Sequence, residues 1–338
     1  MLKEGSPIGE AELNSELVGL SDDSSSQKKT KLLIIGGISL AIIILVIIII
    51  IAASGSSGSS KNDDSEESIS FIGEINCLYV VQTSSKPTTL LSKDFLMESK
   101  IGMEINGKRL KIAREYTFEK VENTNVKFLI YEPLKMDHMF KEVEDLVNVN
   151  MTSDKKCEIL SMKGAFENCP DIDKIIINGF DTSKVTSMRR LFYNTGIYEF
   201  DVSSLIAKSV TDMSEMFALT SIFEMDLSKL DASNVKNMSK KFQFCGNLNE
   251  LILFESSTEN LEDMRYMLYF CSALYYIDFK NLKTNKVTSM KGLFKECIYL
   301  EAIDVSSFDT SEVIDMSEMF QSCDALEELN LKNLTHPK

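Results

Sequence analysis

The sequence predicts an α/β solenoid, with parallel strands on one face and short helices on the other. A small β-rich cap precedes the first coil, and one apolar membrane helix precedes the cap. Three observations carry this. The hexapeptide DMSEMF stands at Asp212–Phe217 and again at Asp315–Phe320. Aligning its copies exposes a column of methionines, Met136, Met162, Met188, Met213, Met238, Met264, Met290 and Met316, spaced 25 or 26 residues apart. Residues 32–53 run LLIIGGISLAIIILVIIIIIAA without a charge.

Residues 1–31 are polar and read as a disordered cytoplasmic tail. The apolar run of 22 residues that follows is long enough to cross a hydrocarbon core of about 30 Å as a helix. Lys28, Lys29 and Lys31 precede it, and Lys61, Asp63, Asp64, Glu66 and Glu67 follow. The positive-inside rule then predicts a single-pass type II protein, held in lipid by residues 32–53 with its C-terminal part extracellular. The run is too long and starts too late for a cleaved signal peptide, which favours a signal-anchor. Residues 54–70, rich in Gly, Ser and acidic residues, read as a flexible linker.

Residues 71–132 are rich in β-branched and aromatic residues, and Asn106-Gly107 is a hairpin signal. We read this stretch as a β-rich unit that caps the first coil, because stacked repeats need covered ends.

From residue 133 to 338 the chain reads as about eight units. Four residues after the column methionine comes Phe140, Phe166, Phe192, Phe217, Phe242, Leu268, Phe294 or Phe320. Three further on stand Val143, Cys169, Thr195, Thr220, Cys245, Cys271, Cys297 and Cys323. Offsets of 0, 4 and 7 mark one face of a short helix. The residues before the methionines, among them Ser187, Asp212, Asn237, Asp263, Ser289 and Asp315, suit its N-cap. A strand-like phrase follows, as in Ile303-Asp304-Val305, with Ile303 and Val305 inward and Ala302 and Asp304 outward.

The phrase from Val287 to Ser306, VTSMKGLFKECIYLEAIDVS, resembles the BspA-type leucine-rich-repeat surface proteins. The resemblance covers about residues 133–338. It implies a leucine-rich-repeat-like solenoid and a non-enzymatic surface protein for recognition or adhesion, binding a protein or glycan partner outside the cell. The alternative is a structural coat protein that self-associates.

Composition narrows the classes. The chain carries 36 Lys+Arg against 51 Asp+Glu, a formal net charge of -15. That balance argues against nucleic acid as a partner. The histidines, His138 and His336, are far apart in sequence, and no catalytic residue, metal site or cofactor is assigned. Each column methionine shares a face with Phe and Cys, so the column reads as core rather than as a soft-metal ladder. The column cysteines read as buried and reduced, since stacked thiols with parallel side-chain vectors make poor bridges. Whether Cys77 and Cys157 are bonded to each other stays open.

Candidate partner-binding residues lie on the outward strand positions. Asp201, Asp226, Asp278 and Asp304 form a carboxylate row, read as a solvated polar face. By register Ile252, Phe254 and Tyr276 point outward among them, where apolar and aromatic side chains suit a partner site. The competing reading is a bulge in residues 251–260 that turns them inward. Asn150, Asn237 and Asn333 head glycosylation sequons, although Asn237 is also an expected cap.

Overall fold

The computed structural model describes residues 70–332 and 334. The tail 1–31, the apolar run 32–53 and all of the linker before Ser70 lie outside the described residues. Among the described residues no helix is long and apolar enough to cross a membrane. The predicted membrane-spanning helix and signal-anchor, with the lipid contact through residues 32–53 and the type II localisation, rest on that undescribed stretch and find no support among the described residues.

The cap consists of β1 (Gly73–Val80), β2 (Thr88–Thr89), β3 (Ile101–Ile105), β4 (Lys108–Leu110), β5 (Glu115–Tyr116) and β6 (Asn123–Ile130). Asn106 and Gly107 both take positive φ and close the β3–β4 hairpin. Beyond the cap come β7 (Leu134–Lys135), β8 (Leu146–Thr152), β9 (Ile159–Ser161), β10 (Lys174–Asn178), β11 (Glu224–Asp226), β12 (Glu250–Ile252), β13 (Tyr276–Ile277), β14 (Ala302–Asp304) and β15 (Glu328–Asn330).

One sheet joins cap to coils in the order β10-β8-β1-β6-β3-β4. β1 pairs antiparallel with both β6 and β8, and β8 pairs parallel with β10. The cap therefore occupies the edge of the first long coil strand, which would otherwise be an open template for pairing. Its alternating residues Ile75, Cys77 and Tyr79 are fully buried, and the Tyr79 hydroxyl donates to Leu90 O at 2.7 Å.

The prediction of short helices on the second face is overturned: the molecule is a β-solenoid. Among the described residues the one helical element is a single 3-10 turn, Val202–Ser204. The segment from each column methionine to its Cys slot is instead a ribbon of overlapping turns. Within a coil, the amide three residues after the methionine donates back to the methionine carbonyl, as in Met267 N to Met264 O at 3.3 Å. Amides at offsets 0, 2, 4 and 6 donate to the next coil. Examples are Met264 N to Ser289 O at 3.2 Å, Tyr266 N to Lys291 O at 2.8 Å, Leu268 N to Leu293 O at 3.1 Å and Phe270 N to Lys295 O at 2.8 Å. Those donors are unavailable for the i to i−4 bonds of an α-helix.

Closing these turns requires left-handed backbone at offsets 2 and 6. Arg190, Glu215, Lys240, Tyr266 and Glu318 adopt it at the first position, and Leu219, Phe244, Phe270 and Glu296 at the second. Each non-glycine residue there costs about 1–2 kcal/mol. The inter-coil bonds offset that cost by giving otherwise buried amides a partner.

The apolar offsets expected for a helix face are buried all the same. Seven column methionines, Met136 through Met290, are fully buried, while Met316 in the last coil is half-buried. Phe140, Phe166, Phe192, Phe217 and Phe242 stack with successive ring centroids 5.4 to 5.8 Å apart. The expected helix caps become turn caps: Asp212 and Asp315 accept from the amides of Ser214 and Ser317, both at 2.9 Å.

Candidate interaction face

The strands, where they form, stand as the sequence implies. β11, β12 and β13 pair in parallel, as do β14 and β15. Met225, Leu251, Ile277 and Ile303 point inward and are buried. The neighbouring positions point out, so Glu224 lies beside Glu250, Glu250 beside Tyr276, and Asp226 beside Ile252.

The predicted partner residues separate into three groups. Ile252 is 46% exposed and Tyr276 55%, and both project from this face. Phe254, placed outward by strict alternation, is 1% exposed and is corrected to a core residue. Alternation breaks after Ile252, because Leu253 and Phe254 are buried in succession. Asp201, Asp226, Asp278 and Asp304 are exposed, but each has a structural task. Their carboxylates accept from the amides of Ser203, Ser228, Lys280 and Ser306 at 2.8 to 2.9 Å. These bonds turn the chain, and three of the carboxyls lie below the ordinary range: Asp278 through the Lys280 ammonium and then its amide, Asp304 through the Ser306 hydroxyl and then its amide, and Asp226 through the Ser228 amide and then its hydroxyl. Asn330 makes the same bond to Lys332 N at 3.2 Å, so an uncharged acceptor serves in that position as well as a carboxylate.

The face is interrupted between β10 and β11. There the chain bends into the 3-10 turn Val202–Ser204, capped by Asp201, instead of forming a strand. A groove of about 520 Å³ opens on the strand face at this point. Phe200 and Met225 contribute to its lining together with Ile176 and Ile252, and Glu199, Asp201, Glu224, Asp226 and Glu250 supply carboxylates. A second hollow of about 210 Å³ lies alongside, lined by Ile252, Tyr276 and their neighbours.

The Cys column proves to be a donor slot. Thiols of Cys169, Cys245, Cys271, Cys297 and Cys323 donate to carbonyls of the preceding coil at 2.8 to 3.2 Å. Thr195 and Thr220 use their hydroxyls on carbonyls of their own coil, at 2.9 and 2.8 Å. From the second coil on, the slot takes a small side chain with a hydrogen to donate; in the first coil Val143 fills it without one. All seven cysteines are free thiols, Cys77 and Cys157 included.

Of the sequon residues, Asn150 lies within β8. Asn237 accepts both the amide and the hydroxyl of Ser239, at 2.9 and 2.7 Å. Asn333 lies outside the described residues. His138 takes positive φ, with its Nδ1 3.7 Å from the Glu167 carboxylate.

One residue escaped the sequence reading. Lys241 is fully buried, at an offset where other coils place Met139, Ala165, Leu191, Met216, Met267, Leu293 or Met319. Its ammonium lies 4.7 Å from the centroid of Phe254 and 3.5 Å from Met213 Sδ. Burial pushes the amine down to about 7. A charged residue in an otherwise apolar column was the available signal.

A family model described as Mycoplasma protein of unknown function, DUF285, matches residues 134–256 and 253–336. No curated protein and no solved structure matches the chain.

Proposed function

From the premise that the chain belongs to the family of Mycoplasma proteins of unknown function, DUF285, we propose that it is a non-enzymatic recognition or adhesion protein. It binds a protein or glycan partner through the strand face of its solenoid. The observation that carries this reading is the exposure of Ile176, Ile252 and Tyr276 on a face whose backbone is fixed by parallel ladders. Apolar and aromatic side chains held rigidly in solvent lose little entropy on binding and offer the anchors that interfaces use. The likeness of the repeat phrase to BspA-type surface proteins supports a role at a surface.

The test is saturable binding of the chain to candidate cells or immobilised partners. Ile252→Ser with Tyr276→Ala is expected to weaken capture by tenfold or more while the thermal midpoint holds. Undiminished capture by that double variant defeats the reading. Concentration-dependent self-association without a ligand, unaffected by the two substitutions, points instead to a coat.

A further inference from the structure

We infer that the groove between β10 and β11 seats an extended segment of a partner protein in which lysine or arginine alternates with aliphatic residues. This rests on the strand-face reading and names the partner's chemistry. The groove edge carries Glu199, Asp201, Glu224, Asp226 and Glu250, with Lys174 as the single basic residue in its lining. None of those five carboxylates is ion-paired within the described residues.

Elsewhere the same chain pairs its charges from coil to coil: Lys229 with Glu255 at 3.2 Å, Lys236 with Glu262 at 2.9 Å and Arg190 with Glu215 at 2.7 Å. At the groove it does the opposite. The ladder sets Glu224 directly beside Glu250, a like-charge pairing that works against the sheet. A cation between the two converts that repulsion into attraction.

The floor asks for apolar atoms. Ile176 and Ile252 stand exposed, and half-buried Phe200 contributes to the same lining. The backbone leaves the place open. Among the described residues no backbone hydrogen bond joins residues 198–201 to β10, and Phe223 N to Tyr198 O at 3.3 Å is their single link toward β11. An extended segment presents alternate side chains to opposite sides. Its aliphatic residues reach the floor, and its long basic stems lie along Ile176 and Ile252 with their heads at the rim carboxylates.

The experiment measures fluorescence anisotropy of a labelled Lys-Leu-Lys-Val-Lys peptide against the full chain. Binding is expected at least tenfold tighter than for a Glu-Leu-Glu-Val-Glu peptide. Glu224→Gln with Glu250→Gln should weaken it by tenfold or more. Glu119→Gln with Glu259→Gln removes the same charge from exposed sites away from the groove and should change it less than twofold. Ile252→Ser should weaken it severalfold at every salt concentration, and unchanged circular-dichroism melts establish that the variants fold.

Equal losses from the two glutamate pairs overturn the inference in favour of diffuse attraction to an acidic chain. Displacement of the peptide by millimolar calcium at constant ionic strength overturns it in favour of a cation site. If the peptide fails to bind while Ile252→Ser with Tyr276→Ala still abolishes partner capture, the basic-segment inference falls and the strand-face reading stands. If both fail, both fall.

Discussion

Replacing Lys241 by methionine should stabilise the chain and remove one step from its pH dependence. The Lys241 ammonium has for company the Met213 thioether at 3.5 Å and the rings of Phe254 and Phe242 at 4.7 and 5.6 Å. Burial lowers the amine from its ordinary value near 10.5 to about 7. Between those values the unfolded chain holds a proton that the folded chain has released. Stability therefore rises with pH across that window, by about 1.4 kcal/mol per pH unit at most. The full step is on the order of 5 kcal/mol. Below about pH 7 the amine is charged in both states, and the desolvation penalty is fully present. Methionine already fills this offset in Met139, Met216, Met267 and Met319, so the exchange nearly conserves shape. Urea unfolding at pH 6, 8 and 10 should show Lys241→Met ahead of the parent by a few kcal/mol at the lowest pH, with the gap closing at the highest. Parallel stability profiles for the two proteins, or a more stable parent at pH 6, would refute the assignment of Lys241 as an uncompensated buried amine.

Other consequences of the stack can be measured in the same way. Gly179 has φ +75°, and a Cβ there collides with the Ser153 carbonyl, so Gly179→Ala should lose about 2 kcal/mol or more of unfolding free energy. Gly246→Ala, which meets nothing closer than Ser272 Oγ at 3.4 Å, should lie within about 1 kcal/mol of the parent. In the donor slot, Cys271→Thr should be nearly neutral, whereas Cys271→Leu should cost about 1–3 kcal/mol by overpacking against the adjacent coils. Native thiol titration should label Cys323 first, because it alone among the seven is half-buried rather than buried. The lowered carboxyls of Asp226, Asp278 and Asp304 add stability that is present above the ordinary carboxylate range and lost as pH falls through their folded values. Exchange of all three for Asn, which Asn330 shows can make the same turn, should flatten the acid limb of a pH–stability curve.

The repeat period, the inward columns and the strand phrases were legible because burial alone writes them: each apolar side chain at offsets 0, 4 and 7 must face the stack whatever the backbone does. The backbone of that segment was not legible. Offsets of 0, 4 and 7 are shared by a helix face and by a ribbon of turns, and the usual residues for left-handed turns are scarce. Among the sixteen positions at offsets 2 and 6, glycine or asparagine occupies Gly164, Gly292, Asn168 and Asn194, with bulky residues such as Arg190, Tyr266 and Phe270 at others. What selects the ribbon is inter-coil hydrogen bonding, a property of neighbouring units that no single unit displays. On the strand face, Ile252 and Tyr276 followed from alternation. Phe254 did not, because β12 ends at Ile252 and the chain beyond it turns inward, setting the ring against Lys241 thirteen residues earlier. The groove was equally hidden, since it arises from one coil exchanging a strand for a 3-10 turn while its column residues stay in register.

This division of labour explains why the two faces carry such different sequences. On the turn ribbon, amides at even offsets bond to the next coil while side chains at 0, 4 and 7 fill the core, so those columns tolerate little beyond Met, Phe, and Cys or Thr. On the strand face the ladder is made by backbone alone, and the outward side chains carry no part of it. Those positions hold Ile176, Glu224, Ile252, Tyr276 and Glu328, which differ in size, charge and polarity although their backbone setting is the same. A scaffold that fixes its own geometry through main-chain bonds leaves the outward positions of that face free to vary. The unpaired carboxylates and exposed isoleucines of the β10–β11 groove are where that freedom departs furthest from what folding alone requires.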